Sequence, residues 1–285
     1  MIASPARVSA AELRKSLERI SAERSPLSSP RHLAAVESYI EKEFESYGLS
    51  VESDAFTYWG RGYRNVIGRL GAVRSGPLII LGAHFDSVEG SPGADDNASG
   101  VAVLLEAARI LSTLRLRSQV LFCAFNLEEL NMIGSTHFAK KLKTAGADIR
   151  AMVSLEMVGY TSVKPGGQQY PAGLRWFYPD RGDFIGVVGN WRSSLLLRQF
   201  SRLLRQVRGL SVETLTVLGN GFLVPQVRLS DHSPFWDLGY PALLVTDTSF
   251  FRNPHYHGPS DTVETLDLDF MAKVCQGVVN AVVNL

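Results

Sequence analysis

Carboxylates and imidazoles recur at one kind of place in this sequence, directly after apolar runs. The run 78–82 is followed by His84 and Asp86, the run 120–125 by Glu128 and Glu129, the run 151–155 by Glu156, and the run 242–246 by His255 and His257. Asp95 and Asp96 stand in the glycine-bounded stretch GADDNASG at 93–100. Taken singly, each has an ordinary explanation as a hydrogen-bonded histidine or a solvated acid pair. Five or more such groups converging on one sheet edge are different, because they would repel and desolvate one another unless a cation neutralised them. A mixed nitrogen and oxygen donor set suits zinc, whereas an all-oxygen set suits magnesium or calcium. Zinc, as two ions per chain, is therefore the expected cofactor. Two metals sharing a carboxylate lower the pKa of a water between them and polarise a scissile carbonyl, leaving a nearby Glu to move the proton. The adjacent Glu128 and Glu129 provide for that division, one binding metal and the other facing the water.

Competing chemistries find less support. GADDNASG has neither a Walker lysine nor GxGxxG spacing, and its acids would repel phosphate. No GxSxG elbow presents a serine, and the run Ser230, Asp231, His232, Ser233 is contiguous, whereas triads meet in space from separate segments.

These groups need a scaffold that brings strand ends together. Apolar strands at 78–82, 120–125 and 151–155 alternate with helical patterns at 98–114 and 135–144, the signature of a βαβαβ unit with a parallel sheet. Further strands are predicted at 184–188 and 242–246, with helices at 193–207 and 267–284. Before the alternation come amphipathic helices at 10–23 and 30–47, the second stopped by Gly48, and a strand pair at 51–58 and 64–70 about a turn at 60–62. The expected fold is α/β, a three-layer α/β/α sandwich with a mixed, mainly parallel central sheet. One domain over 1–285 accounts for the chain, with 1–48 a helical segment packed on it. In open α/β sheets ligands bind at the carboxyl ends of the strands, where the acids and histidines fall. The Gly- and Pro-rich stretch 161–179 reads as a long loop near the site, and it and the Trp191 region are candidate cavity walls.

Composition fits this picture. The 285 residues are 45% hydrophobic and 20% charged, with a formal charge of +1, so no whole-molecule field favours nucleic acid or an anionic membrane as partner. A peptide or small amide substrate is expected, and the motifs leave the oligomeric state open. The N-terminal residues lack the apolar core of a signal peptide, and no stretch approaches the ~18 apolar residues of a membrane span. A cytoplasmic location is the default expectation, although a chain trimmed of its leader would read the same. The two cysteines, Cys123 and Cys275, read as structural.

The motifs GAHFDS (82–87), GADDNASG (93–100), NLEEL (126–130), SLEMVGY (154–160), SDHSPFW (230–236) and YHGPSDT (256–262) together resemble the M28 family of metallopeptidases, in order and in spacing. The resemblance implies a zinc exopeptidase, an aminopeptidase acting by metal-activated water. Carried over, it implies one zinc on His84 and Glu156, a second on Glu129 and His257, Asp96 bridging, and Glu128 as general base. Asp86 would orient the imidazole of His84, and Tyr256 would hydrogen-bond the developing oxyanion. Asp95 would be a neighbour of the site, as would His255 and His232, with Asp231 a structural anchor. Glu156 departs from the Asp found in many members, and its extra methylene lengthens that ligand arm. Two relatives of the family on similar folds compete: a glutaminyl cyclase, which is similar but lacks the first histidine ligand, and an M20-type carboxypeptidase or acylase, whose inserted lid domain this length leaves no room for.

Overall fold

The computed structural model describes residues 7–71 and 76–285. The first six residues of the predicted N-terminal helical segment lie outside the described residues. Eight strands form one sheet in the order β1-β2-β4-β3-β5-β8-β6-β7. They are β1 (Ser50–Tyr58), β2 (Arg61–Leu70), β3 (Leu78–His84), β4 (Gln119–Phe125), β5 (Ile149–Glu156), β6 (Phe184–Asn190), β7 (Ser211–Val217) and β8 (Ala242–Thr246). β4, β3, β5 and β8 run parallel at the centre. β2 joins β4 antiparallel on one side, and β6 joins β8 antiparallel on the other, with β7 parallel to β6 at that edge.

Strand pleating sorts the apolar residues into two layers. Ile79, Leu81 and Ala83 of β3, Phe122 and Ala124 of β4, and Leu243 and Val245 of β8 face one core, while Ile80, Cys123, Phe125 and Leu244 face the other. The first core is closed by helices α1 (Ala10–Ile20), α2 (Pro30–Ser46), α3 (Gly100–Leu111), α5 (Ser194–Leu204) and α7 (Leu268–Asn284). Each of α1 and α2 buries a stripe at three- and four-residue spacing: Leu13, Leu17 and Ile20 on α1, and Leu33, Val36, Ile40 and Phe44 on α2. Ser9 starts α1 by accepting a hydrogen bond from the Glu12 amide at 3.3 Å. α3 is buried nearly all round, as a helix enclosed between sheet and helices must be. The second core is covered by α4 (Ile133–Thr144), α6 (Ser233–Asp237) and loops. The result is a three-layer α/β/α sandwich with a mixed, mostly parallel sheet.

Three local readings change. The hairpin turn falls at Trp59 and Gly60, both with left-handed φ, and not at 60–62. The helix expected at 98–114 begins at Gly100, because Ala94–Ser99 forms an irregular wide turn in which Asp96 and Asn97 leave helical geometry. The edge strand β7 is additional to the strands expected from the sequence. Both cysteines are buried free thiols. Among the described residues no helix is long and apolar enough to cross a membrane.

Candidate active site

The parallel strands deliver their last residues to one edge of the sheet. His84 ends β3 and Glu156 ends β5, and both are buried. Glu128 and Glu129 follow β4 on a turn that opens at Leu127 with φ of 59°. Asp96 comes from the wide turn before α3, and His257, at φ 56°, from the loop after β8.

Asp96 is the centre of the arrangement. Its Oδ1 lies 3.3 Å from His84 Nε2, and its Oδ2 lies 3.1 Å from His257 Nε2. His84 Nε2 also stands 3.2 Å from Glu156 Oε1 and 3.9 Å from Glu128 Oε2, while His257 Nε2 stands 3.3 Å from Glu129 Oε2. Two triads therefore share Asp96: His84, Asp96 and Glu156, and Asp96, Glu129 and His257, each with ligand atoms within 4.8 Å of one another. A third grouping of the same span joins His84, Glu128 and Glu129.

The electrostatics of this cluster are those of a site built for a cation. Burial, followed by the neighbouring carboxylates Glu156 and Glu129, pushes Glu128 well above the usual carboxylate range. Burial and then Asp96 raise Glu129 to about 7. Burial also raises Glu156, against the pull of His84. Burial alone would lower His84, but Glu156 and Glu128 outweigh it and hold the imidazole well above its ordinary value. His257 is likewise raised to about 10, because Asp96 and Glu129 outweigh its burial. Asp96 goes the other way, its burial overcome by hydrogen bonds from both histidines. Protons thus crowd into a space where a metal would replace them. Glu129 Oε1 is buried with no hydrogen-bond partner, an unsatisfied oxygen within the same cluster. The donor set and this orphaned oxygen fit a zinc site.

Asp86 engages the backbone more closely than the His84 ring. Its Oδ1 lies 3.4 Å from His84 Nδ1, at ion-pair distance but outside hydrogen-bond geometry, and its two oxygens accept the backbone N–H groups of Glu128 at 3.0 Å and Glu129 at 3.2 Å. One buried carboxylate therefore ties the β3 end to the acid pair after β4. The longer arm of Glu156 is steadied by Ser230, whose hydroxyl donates to Oε2 at 2.7 Å. Tyr256 lines the cavity with its ring stacked on His257, centroids 3.8 Å apart. Asp95 is turned inward, accepting from the Gly159 amide and from Asn253 Nδ2. Asp231 is fully buried and its carboxyl is raised to about 7 by that burial. His232 Nε2–H donates to the Val227 carbonyl at 2.9 Å and the ring lies edge-on to Trp236, while His255 meets Ser260 at the surface.

Two supporting residues went unread in the sequence. Asp261, from the YHGPSDT stretch, accepts the backbone amides of Asp95 and Asp96 at 2.9 and 3.1 Å. Arg24 is wholly buried and donates to the carbonyls of Phe85, Pro92, Gly93 and Asp96, bracing the loop that carries the shared aspartate. Gly93 is required beside it. Its φ is 59°, and a Cβ there would lie 2.3 Å from the Asp96 carbonyl oxygen.

A cavity of about 360 Å³ opens from the carboxylates over β8, β6 and β7, with Tyr170, Leu174 and Tyr178 of the 161–179 loop as part of its wall. Trp191 is exposed at the start of the turn into α5 and is not among the lining residues.

The family model for peptidase family M28 matches residues 65–282. The chain belongs to that family. An uncharacterised Escherichia coli protein, YfbL, is 38% identical over 257 residues, covering 86% of this chain and 78% of that one. Leucine aminopeptidase 1 of Ajellomyces dermatitidis is 29% identical over 215 residues, or 70% of this chain and 50% of that protein. The chain thus spans about half the length of the named leucine aminopeptidases it matches. Among solved structures, LapA aminopeptidase of Legionella pneumophila superposes with a TM-score of 0.78 at 20% identity over 98% of this chain and 71% of that one. A glutaminyl cyclase from Tannerella forsythia superposes with a TM-score of 0.73 at 19% identity over 98% and 100% of the two chains. At these identities the structures share the fold.

Proposed function

We propose that this chain is a zinc-dependent aminopeptidase that binds two metal ions. The observation that carries the reading is Asp96, whose two oxygens each face a different imidazole, and each imidazole has its own glutamate. That is the donor arrangement of two adjoining metal positions sharing one carboxylate, with His84 and Glu156 on one side and Glu129 and His257 on the other. Zinc held there would supply Lewis acidity to the scissile carbonyl and a lowered pKa to the attacking water.

The chain's own residues then do the following. Glu128 takes the proton of the attacking water and passes it to the leaving amine. Burial raises its proton affinity above that of a solvated carboxylate, so a proton taken from the water is held until the leaving amine accepts it. Asp86 holds the backbone on which Glu128 sits, so that its carboxylate stays beside the shared space. Tyr256 supports the carbonyl oxygen as negative charge develops on it, its hydroxyl taking no hydrogen bond from the described residues. The cavity over β8, β6 and β7 takes the substrate's side chain.

The test is a panel of aminoacyl anilides, N-terminally blocked peptides and an N-terminal glutaminyl peptide, assayed with and without zinc. Hydrolysis of free but not blocked N-termini, abolished by chelation and restored by zinc, is expected. Full activity in metal-free protein, or cyclisation of the glutaminyl peptide without anilide hydrolysis, overturns the proposal.

A further inference from the structure

The cavity has a second end. The registers of β5, β8, β6 and β7 place Glu156, Thr246, Gly186 and Glu213 in one row across the sheet. At ~4.8 Å per strand the row spans about 14 Å from the metal-side glutamate to Glu213. The neighbouring row, Leu244, Val188 and Leu215, is apolar and lines the same cavity. Gly186 leaves the lane open, since a Cβ there would already meet the Thr246 carbonyl at 3.2 Å. The floor between the two acids is Thr246 and Gly186, bordered along its length by this apolar row.

Glu213 terminates that floor without a partner. Its carboxylate takes no hydrogen bond or ion pair from the described residues, although desolvation raises its pKa. Arg205 acts on it electrostatically but directs its own hydrogen bonds to the Val212 carbonyl and Ser201. Two aromatic rings stand beside the acid. Tyr170 and Tyr178 are stacked with centroids 5.7 Å apart, and both feel the charge of Glu213. Their hydroxyls are fixed by donation to the carbonyls of Pro179 and Thr214, which holds the rings as walls. An unpaired carboxylate beside a stacked pair of tyrosine rings at the end of an apolar lane suits a cation on an alkyl stem: the stem lies on the apolar row, and the charge meets the acid beside the rings.

We propose that Glu213, walled by Tyr170 and Tyr178, is a specificity subsite that reads the ammonium or guanidinium group of an N-terminal lysine or arginine. The inference rests on the aminopeptidase reading above and names its substrate class. An extended lysine or arginine side chain is about 6–7 Å long and, with the reach of the glutamate, covers the separation between a carbonyl held beside Glu156 and the Glu213 end.

Norleucine is lysine without the charge, so the experiment compares lysyl and norleucyl p-nitroanilides on the zinc-loaded full chain. The wild type should prefer lysyl, and Glu213→Gln should lower the lysyl to norleucyl ratio of kcat/KM by about tenfold, mainly through KM. Tyr170→Leu, which leaves the strand untouched, should lower the same ratio several-fold and guards against a folding defect in the first variant. A wild type that favours norleucyl, or a ratio unmoved by both substitutions, overturns the subsite. If no anilide is hydrolysed at all, the aminopeptidase reading fails separately. Calorimetry with lysinamide and norleucinamide then decides the subsite: tighter lysinamide binding that Glu213→Gln removes supports it, and equal binding overturns it.

Discussion

His84 and His257 flank the same aspartate, yet they are held by different kinds of structure. His84 ends a central strand, is fully buried, and has Asp86 behind it, itself bonded to two backbone amides. His257 sits on a loop in left-handed geometry with its side chain 35% exposed, stacked on Tyr256. Glu156 on the first side is braced by Ser230, whereas Glu129 on the second has an oxygen with no partner. The difference teaches that sheet geometry fixes one half of the site, while the other half depends on loops and on whatever fills it.

The largest effect should come from Glu128, which stands on the His84 side. Glu128→Gln is expected to lower kcat about 10³-fold while zinc content by elemental analysis stays at the wild-type level. Near-normal turnover would remove Glu128 from the proton-transfer role. The comparison itself is sharpened by graded chelation. The zinc equivalent on the His257 side should leave first, at a chelator concentration about 10–100-fold below that needed for the second, and His257→Ala should retain the more buried equivalent. Two equivalents leaving together would mean that the halves are not distinct.

A smaller effect is expected from Arg24→Met, which preserves bulk but strands five carbonyl oxygens, three of them in buried hydrogen bonds. Urea unfolding should show a loss of about 3 kcal/mol. An unchanged midpoint would show that water replaces the guanidinium at no cost.

The smallest effect is a pH slope. Burial lowers His232 from 6.5 to about 3, so between those values the unfolded chain binds a proton that the folded chain does not. Its contribution is complete above 6.5 and is lost as pH falls toward 3. Asp231 and Asp261, both raised to about 7 by burial, act in the opposite sense, adding stability at low pH and losing it as pH rises through 7. The His232 part is therefore read as a difference in thermal midpoint between wild type and His232→Gln. The wild type should lose more on going from neutral to acid pH, and parallel curves would refute a neutral buried imidazole.

What the sequence made legible follows from where its information is stored. The central strands stand out because both faces are buried, which makes them continuous apolar runs bounded by the very acids and histidines they position. β7 hides because an edge strand carrying Glu213, Thr214 and Thr216 lacks such a run. Its acid consequently reads as surface until the register puts it in the cavity. Asp261 and Arg24 are invisible for another reason. Their partners are backbone amides and carbonyls, which every residue has, so no side-chain pattern betrays them. The 161–179 loop was recognisable as a wall from its glycines and prolines, but Trp191 carried no comparable signal and turned outward.

The buried guanidinium of Arg24 also sets a limit on modularity. Every residue of the proposed donor set falls within the family-matched span 65–282, but this brace is contributed by the connection between α1 and α2, well upstream of it. A segment cut to the matched boundary would keep the whole donor set and forfeit the cross-link that shapes the loop around Asp96. The helical segment is thus part of the constellation's frame, and a graft of the site onto another α/β scaffold would have to supply an equivalent donor from outside the sheet.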